Sequence, residues 1–452
     1  AGSRVSLVTR WDAVDVAAAP EPTGEALAET ARVWERWAHK PTASGNRDWA
    51  GYWDAHVVRS ELALKLMTFA PTGAIVAAPT TSLPEGIGGV RNWDYRYSWI
   101  RDSGLAAQAL VAMGHGAEAR AFLNWAEKVS AEHGAPSGTD GEASRDLRIM
   151  YDVRGNPCLP EFELGHLDGY RGSRPVRIGN GAAKQVQLDV YGELIQSAYE
   201  LDRLGYALEE EEWRFVASLA DEACQVWTER DAGIWEVRGP EQHFVYSKMM
   251  VWVALERAVR LAALGRITGD VARWQMNQRL LKEEVLEKGY DASLDTFTIA
   301  YGSQELDAAN LLIPIYEFME PEDPRVQGTI NRTLEQLTTA DLVYRYRFDD
   351  GLPGEEGAFV LCTFWLVDAL ALSGRLDEAY RIFDGLAGRV NHVGLLSEQI
   401  DPHSGAFLGN FPQAFSHIGL INSALYLAHC EGRETPVPAP IGTAAHRAAN
   451  GT

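Results

Sequence analysis

The chain reads as an all-α protein whose helices close into an (α/α)6 barrel. Twelve helical stretches run almost without interruption from residue 57 to residue 431. They alternate between stretches apolar nearly all round and stretches with one charged face, and a helix apolar all round is buried while one with a charged face lies outside. Long loops rich in glycine, proline and aromatic residues precede the apolar members, whereas the connections that follow them are short. Six inner and six outer helices with the long loops gathered at one end satisfy all three observations.

Taken in order, residues 1–24 hold one short strand, 4–10 (RVSLVTR), and an Ala- and Pro-rich linker, 12–24. A lone strand without a partner is expected to be the residue of an amino-terminal β domain. Residues 25–56 supply an amphipathic connecting helix and a loop, and 57–431 form the barrel. The outer helices are expected at 57–70, 116–132, 208–229, 267–288, 324–338 and 375–390. The inner ones are expected at 98–113, 182–204, 245–264, 305–318, 356–373 and 413–431; Phe359-Val-Leu-Cys-Thr-Phe-Trp-Leu-Val is typical of them. The loops before them span 88–97, 170–181, 233–244, 297–304, 344–357 and 394–412. Function usually sits on loops carried by a rigid scaffold. Residues 432–452, rich in Pro and Ala, read as a disordered tail.

Composition narrows the function. Of 452 residues 46% are apolar, enough for a large core, and no apolar run approaches a membrane span. The net charge of −22 is the wrong sign for a nucleic-acid partner. Four scattered cysteines form no CxxC pair, so neither zinc nor a redox motif is indicated. Cys224, Cys362 and Cys430 fall in apolar helical patterns and are expected to be buried thiols. No basic segment followed by an apolar stretch opens the chain, and the expected location is the cytoplasm.

Two segments carry the chemistry. Gly233-Ile-Trp-Glu-Val-Arg-Gly and Gly394-Leu-Leu-Ser-Glu-Gln-Ile-Asp each place one glutamate, Glu236 and Glu398, in a loop ahead of an inner helix. Two carboxylates on opposite sides of a pocket are the minimum for cleaving a glycosidic bond by acid and base, about 6.5–9.5 Å apart where the reaction inverts. One has to stay protonated near neutral pH, and the Trp235 indole is expected to exclude water from Glu236. The plainer alternative for each is a surface glutamate.

The loop at 91–104 (RNWDYRYSWIRDSG) concentrates the residues that hold sugars: rings, here Tyr97 and Trp99, stack on a pyranose, and Arg101 with Asp102 grips adjacent hydroxyls. The competing reading makes Asp102 a helix cap and pairs Arg101 with an acidic neighbour. Arg345 and Glu355 in the fifth loop are further substrate contacts, with Glu356 a rival carboxylate whose place at a helix start the macrodipole also favours. Gln185, Gln187 and Asp189 are polar on an otherwise apolar helix. His166, His243 and His417 fit no ligand spacing and read as satisfied polar histidines.

Five ordered motifs, NWDYRYSWIRDSG at 92–104, GYRGSRPVRIGN at 169–180, GIWEVRG at 233–239, YRYRFDDGLPGEEGAF at 344–359 and LLSEQIDPHSGAFLGNFPQAFSH at 395–417, resemble glycoside hydrolase family 15. Within that glucoamylase family they resemble the bacterial glucoamylase- and trehalase-like branch, over roughly residues 57–431. The resemblance implies an (α/α)6 catalytic domain, inversion at the anomeric carbon and no cofactor. It also implies Glu236 as general acid and Glu398 as general base, Arg101, Asp102 and Arg345 as contacts of the terminal glucose, and Trp99 and Trp235 as its walls. A single glutamate followed by Val237 stands where fungal members have two consecutive glutamates. The expected partner is a small α-linked saccharide. Trehalose, maltose, isomaltose and longer glucans stay open, since they differ only beyond the first sugar, where 134–146 and 407–412 are expected to form the rim. A disaccharide phosphorylase, a polysaccharide lyase on the same barrel and a non-catalytic sugar binder are the alternatives.

Overall fold

A computed structural model describes residues 23–38, 48–133, 147–348, 350–435 and 437–450. The strand at 4–10, most of the linker at 12–24 and the rim loop at 134–146 lie outside the described residues.

All twelve expected barrel helices form. The outer ones are α2 (Asp54–Met67), α4 (Gly116–His133), α6 (Glu210–Val226), α8 (Val271–Lys288), α10 (Pro324–Arg332) and α12 (Leu376–Ala387). The inner ones are α3 (Ile100–Ala112), α5 (Asp189–Arg203), α7 (Val245–Ala263), α9 (Leu312–Ile315), α11 (Val360–Leu372) and α13 (Ala414–Cys430). Each inner helix packs on the next, α3 on α5, α5 on α7, α7 on the turn leading into α9, α9 on α11, α11 on α13, and α13 closes back on α3. The connecting helix, α1 (Thr23–Ala38), docks through Trp37, which stacks on His115 at 3.8 Å and donates to Glu118 at 2.7 Å.

Local chemistry sets the ends. Glu209 and Glu212 make a capping box for α6, Asp270 caps α8, and Asp323 caps α10 with Pro324 in its first turn. Gly192 lets α5 and α7 close up, since a β-carbon there would lie 2.4 Å from the Met250 carbonyl oxygen. Cys362 is buried as expected, while Cys224 and Cys430 are half-buried.

Three differences from the sequence expectation have physical causes. Helices α3 and α11 start later than their apolar patterns suggest, because the residues just ahead of them pair as two-residue ribbons. Ser98–Trp99 pairs with Met150–Tyr151, and Gln399–Ile400 lies between Ala358–Phe359 and Phe407–Leu408. The fourth inner helix is a single turn, preceded by a 3-10 turn (Ala308–Leu311) and ended by Glu317 in the left-handed region, φ 63°. The tail is not disordered where it is described: Ile441, Thr443 and His446 are buried, and 444–450 add a last helix, α14 (Ala444–Asn450). Tyr426 donates to the Ile441 carbonyl at 2.7 Å and His446 meets Glu317 at 2.7 Å, so the tail seals the barrel end opposite the long loops. An alanine- and proline-rich composition hides such a plug because it needs few anchors.

Candidate active site

The ribbons that shorten the helices also fix the loops. Trp99 and Phe359, the last residues before α3 and α11, are both paired, and the strand after Glu398 ties the sixth loop to the fifth. The resulting cavity, about 420 Å3, is lined by Trp99, Arg101, Asp102, Trp235, Glu236, Arg345 and Glu398, with Tyr95, Phe359, Gln413 and Phe415 among the remainder. Seven of the nine residues singled out from the sequence therefore converge on one hollow. A second cavity of about 470 Å3 adjoins it, shares Tyr95, Trp235, Glu236 and Arg345, and adds Glu85, Trp93, Asn180, Arg238 and Asp350.

Two expected contacts lie elsewhere. Tyr97 is half-buried outside both cavities, and Tyr95 takes its place on the wall. Residues two apart on an extended segment share a face, so the sequence alone leaves either ring available. Glu355 is exposed on a neighbouring cleft, while Glu356 turns inward and chelates Arg345 through Nε at 2.8 Å. The 407–412 loop packs against Glu398: the Asn410 N–H donates to Glu398 Oε2 at 3.3 Å. Gly409, at φ 67°, makes room for that carboxylate, since a β-carbon would lie 2.2 Å from Oε2.

Glu236 sits in the left-handed region at φ 58°, a conformation a non-glycine residue adopts at some cost in energy and that recurs at functional sites. Its turn aims the carboxylate to where the cavities meet. The indole on it is not Trp235 but Trp99, whose Nε1 donates to Oε1 at 2.6 Å. Trp235 instead donates to the buried Asp307 at 2.8 Å. The hydrogen-bonding edge of Trp99 thus meets Glu236, while Trp235 lines the same cavity.

Arg101 is buried among Gln187 (2.6 Å), Asp189 (3.2 Å), Asp102 (3.4 Å) and Glu236 (3.5 Å). Burial opposes its charge, but Asp189, Asp102 and Glu236 more than offset that, and its pKa is raised. Asp102 is pushed up to about 7, by burial above all, with Arg101 pulling the other way. Its Oδ2 is buried with no hydrogen-bond partner, and the start of α3 has no side-chain cap. The capping alternative fails, and an unsatisfied acceptor is left at the cavity. Burial, then Glu85, drives Glu398 well above the ordinary carboxylate range, against the pull of Arg345 and the Asn410 N–H. His417 is the satisfied core histidine expected, held by Ser60 at 3.0 Å and by the Leu396 N–H at 3.4 Å.

Glu85, Tyr95 and Asp307 escaped sequence reasoning. Glu85 precedes the loop expected at 88–97, and Asp307 falls inside the helix expected at 305–318, so loop position did not single out either.

The helical barrel is the fold of solved glucoamylases. A bacterial glucoamylase complexed with acarbose matches with a TM-score of 0.68 at 15% identity, over 92% of this chain and 61% of that one. The glucoamylase of Saccharomycopsis fibuligera matches with a TM-score of 0.64 at 14% identity, over 86% and 97%. At such identities the likeness shows the fold alone. The model of glycosyl hydrolases family 15 matches residues 52–425, and the chain belongs to that family. It is 39% identical to a trehalase of Mycobacterium tuberculosis over 97% of its own length, and spans 64% of that protein. It is also 39% identical to a trehalase of Thermoplasma acidophilum, over 88% of this chain and 66% of that protein. Among the described residues no helix is long and apolar enough to cross a membrane.

Proposed function

We propose that the chain hydrolyses an α-glucoside, with α,α-trehalose as its substrate, by a single inverting displacement. One observation carries the reading: Glu236 lines both cavities, whereas Glu398 lines only the inner one. A glycosidic oxygen between two sugars, one in each cavity, then lies beside Glu236 as acid. Water driven onto the far face of the inner sugar lies beside Glu398 as base. Arg101 and Asp102 grip the inner sugar's hydroxyls, Arg345 spans both cavities, and the rings of Tyr95, Trp99 and Trp235 form the wall. Two adjoining hollows of sugar dimensions suit a disaccharide. On the outer side Trp93 is held between the guanidiniums of Arg177 (5.0 Å) and Arg238 (4.8 Å), a stiff polar wall for the second sugar. The relatives named trehalase support the choice of disaccharide.

The test is glucose release from α,α-trehalose, maltose, isomaltose and soluble starch, with early products read by proton NMR. Trehalose is expected to be the best substrate. Inversion converts its inner unit to β-glucose and frees the other unchanged as α-glucose, so the first turnovers give equal amounts. Early products that are α alone overturn the single displacement; a preference for starch or maltose overturns the substrate.

A further inference from the structure

Glu85 follows Leu83-Pro84 in the loop that leads to α3 and is 2% exposed. No donor meets either of its carboxylate oxygens in hydrogen-bonding geometry, although the Trp93 side chain lies beside it. Its cations stand off, Arg345 Nη2 at 3.7 Å and Arg91 Nη1 at 3.9 Å. Both are already engaged: Arg91 holds Asp350 through two bonds of 2.8 Å, and Arg345 holds Glu356. Two guanidiniums thus face three carboxylates, and Glu398 adds a fourth. A backbone hydrogen bond ties the loop of Glu85 to that of Glu398. The Gly409 N–H donates to the Pro84 carbonyl at 2.8 Å, and Gly409 is the residue packed against the Glu398 carboxylate.

We infer that Glu85 is a positioning residue for the reaction: a surplus buried carboxylate beside Glu398 that makes Glu398 a stronger base and sets the acid side of the pH profile. The inference rests on Glu398 being the base. Like charges sharing a buried site resist ionising together, and proton transfer is most effective when the base's pKa lies near the working pH. Burial pushes Glu85 itself up to about 7 and Glu398 well above the ordinary range. Where Glu85 is ionised, Glu398 has to lose its proton beside a charge already present.

The other groups facing Glu398 do not supply this effect. Arg345 opposes it, and Glu356 adds to it less than Glu85 does while chelated by that same arginine. Arg91 and Asp350 compensate each other. Arg101, Asp102 and Glu236 line the same cavity from other loops, and Tyr95 holds its proton, its pKa raised by burial first and then by Glu398 and Glu85. His417 is kept neutral by burial, pushed down to about 3.

The experiment is kcat/KM against pH on trehalose for the wild type, Glu85→Gln and Glu85→Asp, with a melting curve for each. Gln is expected to move the acid limb down by about one pH unit or more. One pH unit below the wild-type midpoint, activity as a fraction of its plateau should then rise several-fold, while the plateau kcat falls. Asp, which keeps the charge, should hold the limb close to the wild type. An unmoved limb in folded Glu85→Gln overturns the inference, as does a raised KM with the limb in place, which would make Glu85 a contact of the second sugar. Carbon-13 NMR of the wild-type carboxyls gives a check independent of how the variant folds. The signal lost in Glu398→Gln should titrate above the ordinary carboxylate range, and a midpoint at the ordinary value overturns the inference. Normal turnover by Glu398→Gln would instead remove the base assignment, whatever the limb does.

Discussion

The loop end of the barrel and the surroundings of Glu317 at the tail end treat buried carboxyls in opposite ways. At the loop end Asp102, Glu85, Asp307 and Glu398 are all pushed upward, burial being the largest cause for each, and several of their atoms lack hydrogen-bond partners. At the tail end Glu317 is less deeply placed, and it meets His446 at 2.7 Å, Arg260 at 3.1 Å and Arg257 at 3.7 Å. Burial opposes its charge there too, yet those partners more than offset it and hold the carboxyl down to about 2. A buried carboxylate with partners contributes stability; one left without them is a strained group available to a ligand.

The comparison breaks most visibly at the two proposed catalytic groups. Glu236→Gln and Glu398→Gln should each lower kcat by about 10²-fold or more, with melting temperature unchanged or higher. Near-normal turnover by either removes it from the scheme. Gly409→Ala should be the next largest effect. Its methyl would press on Glu398 Oε2 at a backbone φ of 67°, and a shift of the base by about an ångström lowers kcat at least about tenfold. A normal kcat there would mean that the seat of Glu398 tolerates movement.

Stability against pH sharpens the contrast, because the two ends predict opposite slopes. Asp102 binds a proton when folded, between its ordinary value of 3.8 and about 7, that the unfolded chain does not. It therefore lowers stability as pH rises through that window, and Asp102→Asn should relieve up to about 4 kcal/mol at pH 7 while lowering kcat/KM. Glu317 works the other way. Its contribution is complete above 4.5 and is lost as pH falls toward about 2. Glu317→Gln should lower stability at neutral pH by about 3 kcal/mol and leave kcat alone. Urea unfolding from pH 2 to pH 8 covers both windows, and equal slopes for the two variants would erase the distinction.

What the sequence disclosed follows the same division. Alternating apolar and one-faced helices specify a barrel because burial is a property of whole faces, and every barrel helix is recovered. Seven of the nine named site residues were legible because residue type and loop position together indicate chemistry. Tyr97 and Glu355 were missed by one or two positions, since the side on which a short loop residue emerges depends on cross-loop pairing such as Gln399 with Phe359. The Trp99–Glu236 bond links residues 137 apart, and no local pattern encodes it. The tail's docking was hidden for a related reason: its anchors, Ile441 and His446, act through Tyr426 and Glu317 on distant helices.

That docking yields the smallest expected effect and the most direct check on the independence of the two ends. Ile441 is buried against a chamber lined by Leu312, Ile315, Tyr316, Leu425 and Tyr426. Ile441→Ala should lower unfolding free energy by roughly 2 kcal/mol. Glu398 precedes α13 at the loop end, and Tyr426 lies near that helix's other end, a distance of about 20 Å along its axis. Rigid inner helices packed on both sides give little room for a cavity at one end to displace a carboxylate at the other, so kcat and KM on trehalose should match the wild type. A fall in kcat without loss of fold would show that the tail's packing reaches the catalytic loops through α13, and the two ends would then act as one unit.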